Sequence, residues 1–493
     1  MPKTLLLLTA IGGTTLSWMC MPPTDSPSTD SPKPEQGGGR QQVRNVTSLY
    51  NEYCGKCHGM NGEGGGGGTK TLLTRDKFDQ KWDKPFFDAT KNGVPDMGME
   101  AYGQTLSDPE VWALVVHIRE LQAKYLRQTE GGPKATDGVY KAKQHSYKVE
   151  TVVDGGLRTP WSIDWLPDGK MLVTNRPGTM NLVVNGKLGA QVTGLPESVE
   201  QGQGGLMDVA VHPSYKSNGW VYLSYTEPAK SGRGGMTKVV RGKLKISGDQ
   251  AAWSDQQTIW EANQQYYTGA GVHFGSKIVF DKGYVYFTVG ERGSNMGAQS
   301  LETPFGKVMR LHDDGKVPTD NPYVNTAGAE KATWSYGHRN QQGLTVDSEG
   351  RLWDTEHGPR GGDELNEIKK GANYGWPLAV WSINYNDSPF RTPWMTDGKT
   401  IVQPIFRWLP SIGASGLDTM KGSAFPNWKG DLIAGGLAGN NLDRFRIKDG
   451  KLVEREELIW GMGRIRDVAI GADGFIYIAL NGPDKIIRLV PAK

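Results

Sequence analysis

The feature that most constrains the fold of this chain is a short phrase that recurs six times between residue 147 and the C-terminus. In each copy a turn with a glycine is followed by alternating aromatic and aliphatic residues, the pattern of a hairpin turn that leads into a buried strand. The turn glycines are Gly169, Gly219, Gly283, Gly350, Gly430 and Gly474. Because ring closure hides the sheet edges that six separate hairpins would expose, the recurrence predicts an all-β six-bladed β-propeller over residues 147–493. A pair of β-sandwiches is the alternative fold, and it would leave the sixfold recurrence unexplained.

The composition excludes several classes of protein. The 493 residues carry 56 basic and 53 acidic side chains, for a net charge of +3, and no block of Lys and Arg that would bind nucleic acid. The three cysteines are too few for a disulfide framework. A hydrophobic content of 37% is ordinary for a globular protein and excludes a membrane bundle.

A smaller unit, over residues 41–127, carries the motif Cys54-Gly55-Lys56-Cys57-His58. At this spacing two thiols attach to haem vinyl groups and the adjacent imidazole binds the iron. A redox dithiol does not need the histidine, and a zinc site needs four ligands, whereas the chain has only one other cysteine, Cys20. The motif therefore predicts haem c, with Cys54 and Cys57 as attachment points and His58 as an axial ligand.

Helical patterns bracket this motif, which predicts an all-α unit. A capping box at Ser107 and Glu110 begins an apolar stripe at helical spacing, and a second stripe precedes Cys54. The Gly/Pro loop at 93–102 offers a methionine sulfur as second axial ligand. The unit resembles class I cytochrome c, in which the ligand methionine precedes a small-aromatic pair. That resemblance implies Met99, with Met97 as the alternative.

The N-terminal region and the segment between the two units have the composition of targeting and linker sequences. Residues 1–20 have one cation, Lys3, before an apolar run that is too short to span a bilayer, which predicts a signal peptide. Cys20 stands where a lipoprotein carries its lipid, but the preceding residues match a lipobox poorly, so lipidation and simple cleavage both stay open. Residues 21–40 and 128–146 are predicted linkers, the first of them disordered. These features predict a periplasmic or other extracytoplasmic protein, whose only membrane contact is an N-terminal lipid anchor if Cys20 is lipidated.

Seven strings along the predicted propeller combine glycines with charged and amide side chains. They are Gly202-Gln203-Gly204-Gly205-Leu206, His273-Phe274-Gly275, Gly290-Glu291-Arg292-Gly293, Gly337-His338-Arg339-Asn340-Gln341-Gln342-Gly343-Leu344, His357-Gly358-Pro359, Gly361-Gly362-Asp363-Glu364-Leu365-Asn366 with Asn373-Tyr374-Gly375-Trp376-Pro377, and Arg464-Ile465-Arg466-Asp467-Val468. In this order they resemble those of the glucose/sorbosone dehydrogenase family. Members of that family that are soluble aldose dehydrogenases bind pyrroloquinoline quinone (PQQ) and Ca²⁺ at the mouth of a six-bladed propeller and oxidise the anomeric carbon of sugars to a lactone.

The resemblance implies catalytic roles for four of these residues. His273 matches the general base, which takes the sugar hydroxyl proton while hydride passes to the quinone, a task that suits imidazole. Gln203 and Glu291 match residues that line the same pocket, where soluble glucose dehydrogenases of the family have Asp in place of Glu291. Arg339 is expected to act both in catalysis and in PQQ binding.

The resemblance also implies the cofactor ligands. Three carboxylates on PQQ require fixed cations, and Arg339, Arg464 and Arg466 are planar bidentate donors. Arg464 and Arg466, two residues apart, are expected on one face of a strand. Asn340 is expected at the quinone end. Ala438 stands where the soluble glucose dehydrogenases have a lysine that contacts PQQ, which favours the aldose dehydrogenase branch.

The resemblance implies calcium at two places. The Gly358-Pro359 peptide matches the carbonyls that bind the active-site Ca²⁺, a cation that prefers oxygen ligands. Asp363 and Glu364 are candidates for a second, structural calcium, and an ordinary acidic turn is the alternative.

The sequence therefore predicts a fusion in which electrons from sugar oxidation pass from PQQ to haem c and on to an external cytochrome, quinone or copper protein. A flexible segment at 128–142 would let the haem approach the propeller and then turn to that acceptor. Two other functions stay open: a propeller that binds carbohydrate without catalysis beside an independent cytochrome, and a calcium-dependent lactonase.

Overall fold

The computed structural model describes residues 44–66, 69–248 and 250–492, and these described residues belong to one compact unit. The predicted signal peptide and the predicted disordered linker at 21–40 lie outside the described residues. Among the described helices, none combines the length and the apolar character needed to cross a bilayer.

The N-terminal segment is helical, as predicted. Its last helix begins with the predicted capping box, in which the backbone N–H of Ser107 donates to Glu110 Oε2 at 2.9 Å. The same helix ends three residues beyond the expected limit of this unit. The helices are α1 (Val46–Tyr53), α2 (Gly55–His58), α3 (Asp83–Asn92) and α4 (Asp108–Glu130), with 3₁₀ turns at Arg75–Phe78, Gln80–Trp82 and Pro95–Met97.

The rest of the chain forms six antiparallel sheets, each of four strands except the last, which has five. In chain order the strands are β1 (Tyr140–Lys141), β2 (Ser146–Asp154), β3 (Pro160–Trp165), β4 (Met171–Asn175), β5 (Thr179–Val184), β6 (Lys187–Gln191), β7 (Leu206–Val211), β8 (Trp220–Pro228), β9 (Gly235–Ser247), β10 (Gln250–Trp260), β11 (Ile278–Asp281), β12 (Tyr284–Val289), β13 (Lys307–His312), β14 (Thr333–Tyr336), β15 (Gln341–Val346), β16 (Leu352–Glu356), β17 (Asp363–Ile368), β18 (Phe406–Trp408), β19 (Ala414–Thr419), β20 (Leu432–Gly436), β21 (Asn441–Lys448), β22 (Lys451–Trp460), β23 (Arg464–Ile470), β24 (Ile476–Asn481) and β25 (Lys485–Pro491). Helix α5 (Tyr215–Asn218) and 3₁₀ turns at Gln264–Tyr266, Asn295–Gln299 and Pro426–Trp428 lie in the loops.

The six sheets close into the predicted propeller. The first strands of the blades, β3, β7, β11, β15, β19 and β23, each contact the next, and β23 contacts β3 again. Each of the six recurring phrases forms the second strand of its blade, as the hairpin pattern predicts. A closed ring of this kind excludes the alternative of two sandwiches. In the last blade β2 pairs with β25, so a strand from the beginning of the propeller completes the sheet that β23, β24 and β25 form.

Neighbouring blades are joined by side chains on their second strands. Thr288 Oγ1 donates to the Gln341 carbonyl at 3.2 Å, and Asn481 Nδ2 donates to the Pro160 carbonyl at 2.9 Å. In the central channel Lys277 Nζ lies 2.7 Å from an Asp208 oxygen and 2.8 Å from an Asp467 oxygen. These three residues come from three different blades, so the pairing fixes the blades at the axis.

Most inner strands are interrupted near their first residues by a β-bulge. Register shifts occur in β3, β7, β15, β19 and β23, each at the end where the incoming loop arrives. A bulge turns a side chain out of the regular alternation of a strand. Side chains near the first residues of these strands can therefore point toward the same end of the central channel. We call this end of the channel the mouth.

The helical segment packs directly on the fourth blade (β15 to β18) and the fifth blade (β19 to β22), counted in chain order from β3. Ile383 and Leu409 of the propeller belong to the same buried cluster as the apolar face of α4. The Arg127 guanidinium makes a two-pronged ion pair with Glu457, at 3.0 and 2.8 Å. Within the predicted linker at 128–146, the last turn of α4 and strand β1 are regular elements. The sequence predicted that the haem unit moves freely on this linker. In the structure, apolar packing and ion pairs instead hold the two units together.

Candidate active site at the propeller mouth

His273 lies at the mouth in a backbone conformation that the surrounding loops impose. Its φ is 54°, in the left-handed region, and its backbone N–H donates to Gln203 Oε1 at 2.9 Å. A Cβ on Gly290 would lie 2.1 Å from the His273 carbonyl oxygen, so this close approach requires glycine before Glu291. The predicted base is thus held by two of the other strings that the sequence singled out.

The imidazole of His273 is neutral at neutral pH, and its Nε2 makes no hydrogen bond to the described residues. Burial, with the nearby Arg339 charge, lowers its pKa from 6.5 to about 4, although the contact with Glu291 acts in the opposite direction. Nδ1 contacts Glu291 Oε1, and the Glu291 side chain is completely buried. Because the carboxylate accepts the Nδ1 proton, the Nε2 lone pair is left available to take another.

Arg339 lies beside this base with part of its guanidinium unpaired. Its Nη1 donates to the Gly358 carbonyl at 3.0 Å, and its head group lies 5.1 Å from the ring centre of Trp376 and 5.9 Å from that of Tyr385. Nε is buried without a hydrogen-bond partner in the described part of the chain. A buried donor of this kind calls for an acceptor that the protein itself does not supply.

Arg466 reaches the same region from the sixth blade. Its Nη1 donates to Gln342 Oε1 at 2.9 Å, and its head group lies 4.2 Å from the centre of the Trp161 ring. Burial lowers its pKa to about 9, and the nearby charge of Arg464 contributes. Arg466 is itself the bulged residue of β23, so the regular alternation that was expected for Arg464 and Arg466 is interrupted here. Arg464 is exposed at the start of the strand.

Asn340 connects these groups. Its Oδ1 accepts from the Gly275 backbone N–H at 3.1 Å and from Gln342 Nε2 at 3.2 Å, and its Nδ2 lies 3.4 Å from His357 Nδ1. The pKa of His357 is well below its usual value because of burial and the charges of Arg339 and Arg466. His357 therefore adds no charge of its own to the mouth at neutral pH.

The arrangement fits a planar, polyanionic cofactor such as PQQ. Arginines from different blades converge on one region, aromatic rings lie against two of them, and a buried guanidinium nitrogen lacks an acceptor. Unlike exposed surface arginines, these side chains are oriented by packing before any ligand arrives, which favours binding of an anion.

The predicted calcium carbonyls border a small cavity that also contains carboxylates. Gly358, Pro359, Glu356 and Glu364 are among the residues that line it. Burial and the charge of Glu356 hold the pKa of Glu364 well above its usual range. Carbonyl and carboxylate oxygens are the donors that a hard cation prefers, so this set fits calcium.

Asp363 has a different environment from Glu364. Its Oδ1 accepts from the Gly358 N–H at 2.9 Å and from Ser411 Oγ at 2.6 Å, while Oδ2 accepts from the backbone of Ile412 at 3.0 Å and of Ala414 at 2.8 Å. Four donors thus engage the carboxylate, which connects blades 4 and 5. The structural calcium predicted at Asp363 and Glu364 stays a prediction, with Glu364 as its better placed member.

Sequence reasoning missed a buried acidic cluster below the mouth. His338 Nδ1 lies 3.1 Å from Glu356 Oε1 and 3.7 Å from Asp354 Oδ2, and burial holds the pKa of Asp354 well above its usual range. His338 stood inside a quoted string, but Asp354 lies on β16 among apolar residues and had no separate signal. The aromatic partners Trp161 and Tyr385 were equally hidden, because Trp161 on β3 and Tyr385 in a loop are distant in sequence from the arginines that they contact.

The haem motif lies where α1 meets α2. Cys54 is half-buried and Cys57 is exposed, with no bond between them. Burial lowers the pKa of His58, whose Nδ1 has no hydrogen-bond partner among the described residues, so a neutral imidazole is available for iron. Tyr102 Oη donates to the Tyr53 carbonyl at 3.2 Å, which holds the methionine loop beside the motif.

The two methionine candidates in that loop differ in exposure. Met97 is 78% exposed, whereas Met99 is half-buried and pairs through its backbone with Val94. This difference agrees with Met99 as the predicted axial ligand.

Comparison with known proteins identifies both parts of the chain. The glucose/sorbosone dehydrogenase family model matches residues 157–488, and the model of cbb3-type cytochrome c oxidase subunit III matches residues 41–118. The chain belongs to the glucose/sorbosone dehydrogenase family. The helical segment is a cytochrome c domain.

Several members of the family are similar over the propeller. Aldose sugar dehydrogenase YliI of Escherichia coli K12 is 39% identical over 349 residues, which cover 69% of this chain and 92% of the relative. A crystal structure of a glucose dehydrogenase is 38% identical with a TM-score of 0.66, covering 70% of this chain and all of the other. The PQQ-bound aldose sugar dehydrogenase of Streptomyces coelicolor is 27% identical with a TM-score of 0.55, covering 73% of this chain and all of the other.

Proposed function

We propose that the protein is a PQQ- and calcium-dependent aldose dehydrogenase that oxidises sugars at the anomeric carbon and passes the electrons to its own haem c. The observation that carries this proposal is the His273–Glu291 pair beside Arg339, whose buried Nε has no hydrogen-bond partner among the described residues. A neutral base next to a buried cation is an arrangement suited to removing a proton while negative charge accumulates nearby.

The protein's own residues would act as follows. His273 Nε2 accepts the proton of the sugar C1 hydroxyl, and Glu291 stabilises the imidazolium through Nδ1. Gln203 fixes the His273 backbone and borders the space where the sugar enters. Bound PQQ supplies the hydride acceptor.

Arg339, Arg466 and Arg464 would hold the cofactor's anionic groups, with Asn340 at the quinone end. The carbonyls of Gly358 and Pro359 would hold Ca²⁺, and the carboxylates of the same cavity would balance its charge. Arg339 also donates to the Gly358 carbonyl, so it connects the proposed calcium site with the base.

Ala438 is exposed and has no charged group, and it stands where the soluble glucose dehydrogenases have a lysine that contacts PQQ. The arginines would therefore bind PQQ without the help of that lysine. We therefore place the chain with the aldose sugar dehydrogenases, a choice that the similarity to the Escherichia coli relative supports.

The cytochrome c domain supplies the next electron acceptor. Cys54 and Cys57 would attach the haem, and His58 and Met99 would bind its iron. Covalent haem c, together with the apolar segment after Lys3, supports an extracytoplasmic location and an external redox partner.

The visible spectrum of the haem tests this function directly. Purified oxidised protein is supplied with PQQ and Ca²⁺ and mixed anaerobically with a panel of aldoses, and both haem reduction and reduction of an added dye are recorded. We expect both signals to require PQQ, Ca²⁺ and sugar together. His273→Gln should abolish both while leaving the haem reducible by dithionite.

Two results would contradict the proposal. If no sugar reduces either the dye or the haem, and the sugars still bind, the propeller is a carbohydrate-binding module. If a lactone is hydrolysed in the presence of Ca²⁺ without PQQ, the chain is a lactonase.

A further inference from the structure

The cytochrome c domain is fixed to the propeller beside the proposed calcium site. Arg360, the residue after Pro359, makes a two-pronged ion pair with Glu120 of α4 at 2.8 and 2.9 Å. Its Nη1 also donates to Asp387 at 2.9 Å, and the Asp387 carbonyl accepts the Val46 N–H at 2.8 Å. Val46 begins α1, which ends directly before Cys54, so one ion pair and one backbone hydrogen bond connect Arg360 with that helix.

An aromatic contact crosses the same interface. Trp381 lines the cavity of Gly358 and Pro359, and its ring centre lies 5.4 Å from that of Trp112 in an edge-to-face arrangement. Trp112 belongs to α4 and is only 1% exposed. The pair therefore joins the wall of the cofactor pocket to the interior of the cytochrome c domain.

On the cytochrome side, this contact continues to the haem motif. Trp112, Tyr50 and Cys54 belong to one apolar cluster, which also includes Trp381. Helix α1, which ends at Tyr53, packs against α4. Close-packed side chains thus extend from the pocket wall to the first haem attachment point without an intervening solvent layer.

We propose that Trp112 is the side chain through which electrons cross from the propeller to the haem, an inference that rests on the function proposed above. Oxidation of one sugar C1 hydroxyl to a lactone would transfer a hydride to bound PQQ and a proton to His273. The reduced cofactor would then give up its two electrons one at a time, and both protons would pass to solvent. Each electron would reduce the ferric haem iron to the ferrous state, and an external acceptor would remove it before the second crosses. The π systems of Trp381 and Trp112, whose ring centres are 5.4 Å apart, place an aromatic contact between the pocket wall and the interior of the cytochrome c domain.

Trp394 provides a matched control at the same interface. Its ring lies 5.7 Å from Trp112 and 4.5 Å from Phe87 of α3, so it packs against the cytochrome c domain as Trp381 does. It is 37% exposed and does not line the cavity of Gly358. Loss of Trp394 removes interface packing and leaves the route through Trp112 in place.

The test compares Trp112→Leu, Trp112→Phe and Trp394→Leu in the full-length holoprotein. Stopped-flow absorbance follows haem reduction after mixing with sugar, and a dye that takes electrons at the mouth measures turnover of the propeller alone. We expect Trp112→Leu to slow haem reduction by roughly tenfold or more, on the scale of rate changes that small displacements cause. In Trp112→Phe the rate of haem reduction should fall much less, and in Trp394→Leu it should stay near the wild-type rate. The rate of dye reduction should be unchanged in all three variants.

Two measurements that do not depend on turnover distinguish slower electron transfer from misfolding of the cytochrome c domain. The haem midpoint potential and the far-ultraviolet circular dichroism of each variant should match those of the wild type. If Trp112→Leu fails to retain haem, Trp381→Leu and Trp381→Phe address the same contact from the propeller side, with the ratio of haem to dye reduction as the measured quantity.

Wild-type haem reduction in Trp112→Leu, or equal slowing in Trp394→Leu and Trp112→Leu, would overturn the assignment. Absence of dye reduction in the wild type would instead overturn the proposed dehydrogenase, so the two failures are distinguishable.

Discussion

Replacing Glu291 by Gln removes a single negative charge from the proposed base pair and keeps its size. In the structure the Glu291 carboxylate contacts His273 Nδ1, and its side chain is fully buried. A hydrogen bond to a charged group contributes about 1.5 to 3 kcal/mol, so losing this charge when the imidazolium forms should slow turnover by roughly 10- to 150-fold.

The same substitution should change the pH dependence in a defined direction. His273 must be neutral to act as a base, and its pKa is about 4, so wild-type kcat/KM should fall only as the pH drops through about 4. Glu291 raises that pKa, so Glu291→Gln should move the acid limb to lower pH while the plateau falls. Dye-linked aldose oxidation between pH 3.5 and 8 measures both effects.

Glu291→Asp is the matched control, because it retains the negative charge and shortens the side chain. We expect its plateau to lie closer to wild type than that of the Gln variant. A Gln variant with the wild-type plateau, or with an acid limb moved to higher pH, would show that Glu291 does not support His273 as a base.

Three further outcomes follow from buried groups elsewhere in the chain. Lys277→Met leaves Asp208 and Asp467 unpaired at the axis, and the free energy of unfolding should fall by about 3 to 5 kcal/mol, measured by denaturant titration against Lys277→Arg. Cys57→Ala should leave haem attached by one thioether, seen as a shifted band in the pyridine haemochrome spectrum. Thermal stability should decline as the pH is lowered from about 6.5 toward 4, because His273 stays neutral in the native state while the unfolded chain binds the proton; a melting temperature that rises over this range would contradict the depressed pKa.

The fold of both domains could be predicted from the sequence because local residue patterns mark their strands and helices. The turn-and-strand phrase marks the second strand of every blade, and the capping box at Ser107 marks the start of α4. The roles of His273, Arg339 and Arg466 were predicted from short strings through the family resemblance, and they stay predictions. The structure adds that these three side chains lie close enough for their charges to act on His357.

What the sequence did not predict depends on contacts between distant segments. The docking of the cytochrome c domain uses Glu120 with Arg360 and Trp112 with Trp381, pairs that no local pattern connects. Composition between the domains indicated a flexible linker, but tertiary packing overrides such a signal when both flanking surfaces are apolar. The bulge at Arg466 was equally hidden, because strand alternation assumes an unbroken register.

The pairing of β2 with β25 has a consequence for how the chain is made. A ribosome releases β2 long before β25 exists, so the ring stays open until β25 has been synthesised. During that interval β2 has a strand edge without its partner β25, close in sequence to the cytochrome c domain. Closure of the ring therefore depends on β25, because a chain without this strand cannot cover the edge of β2.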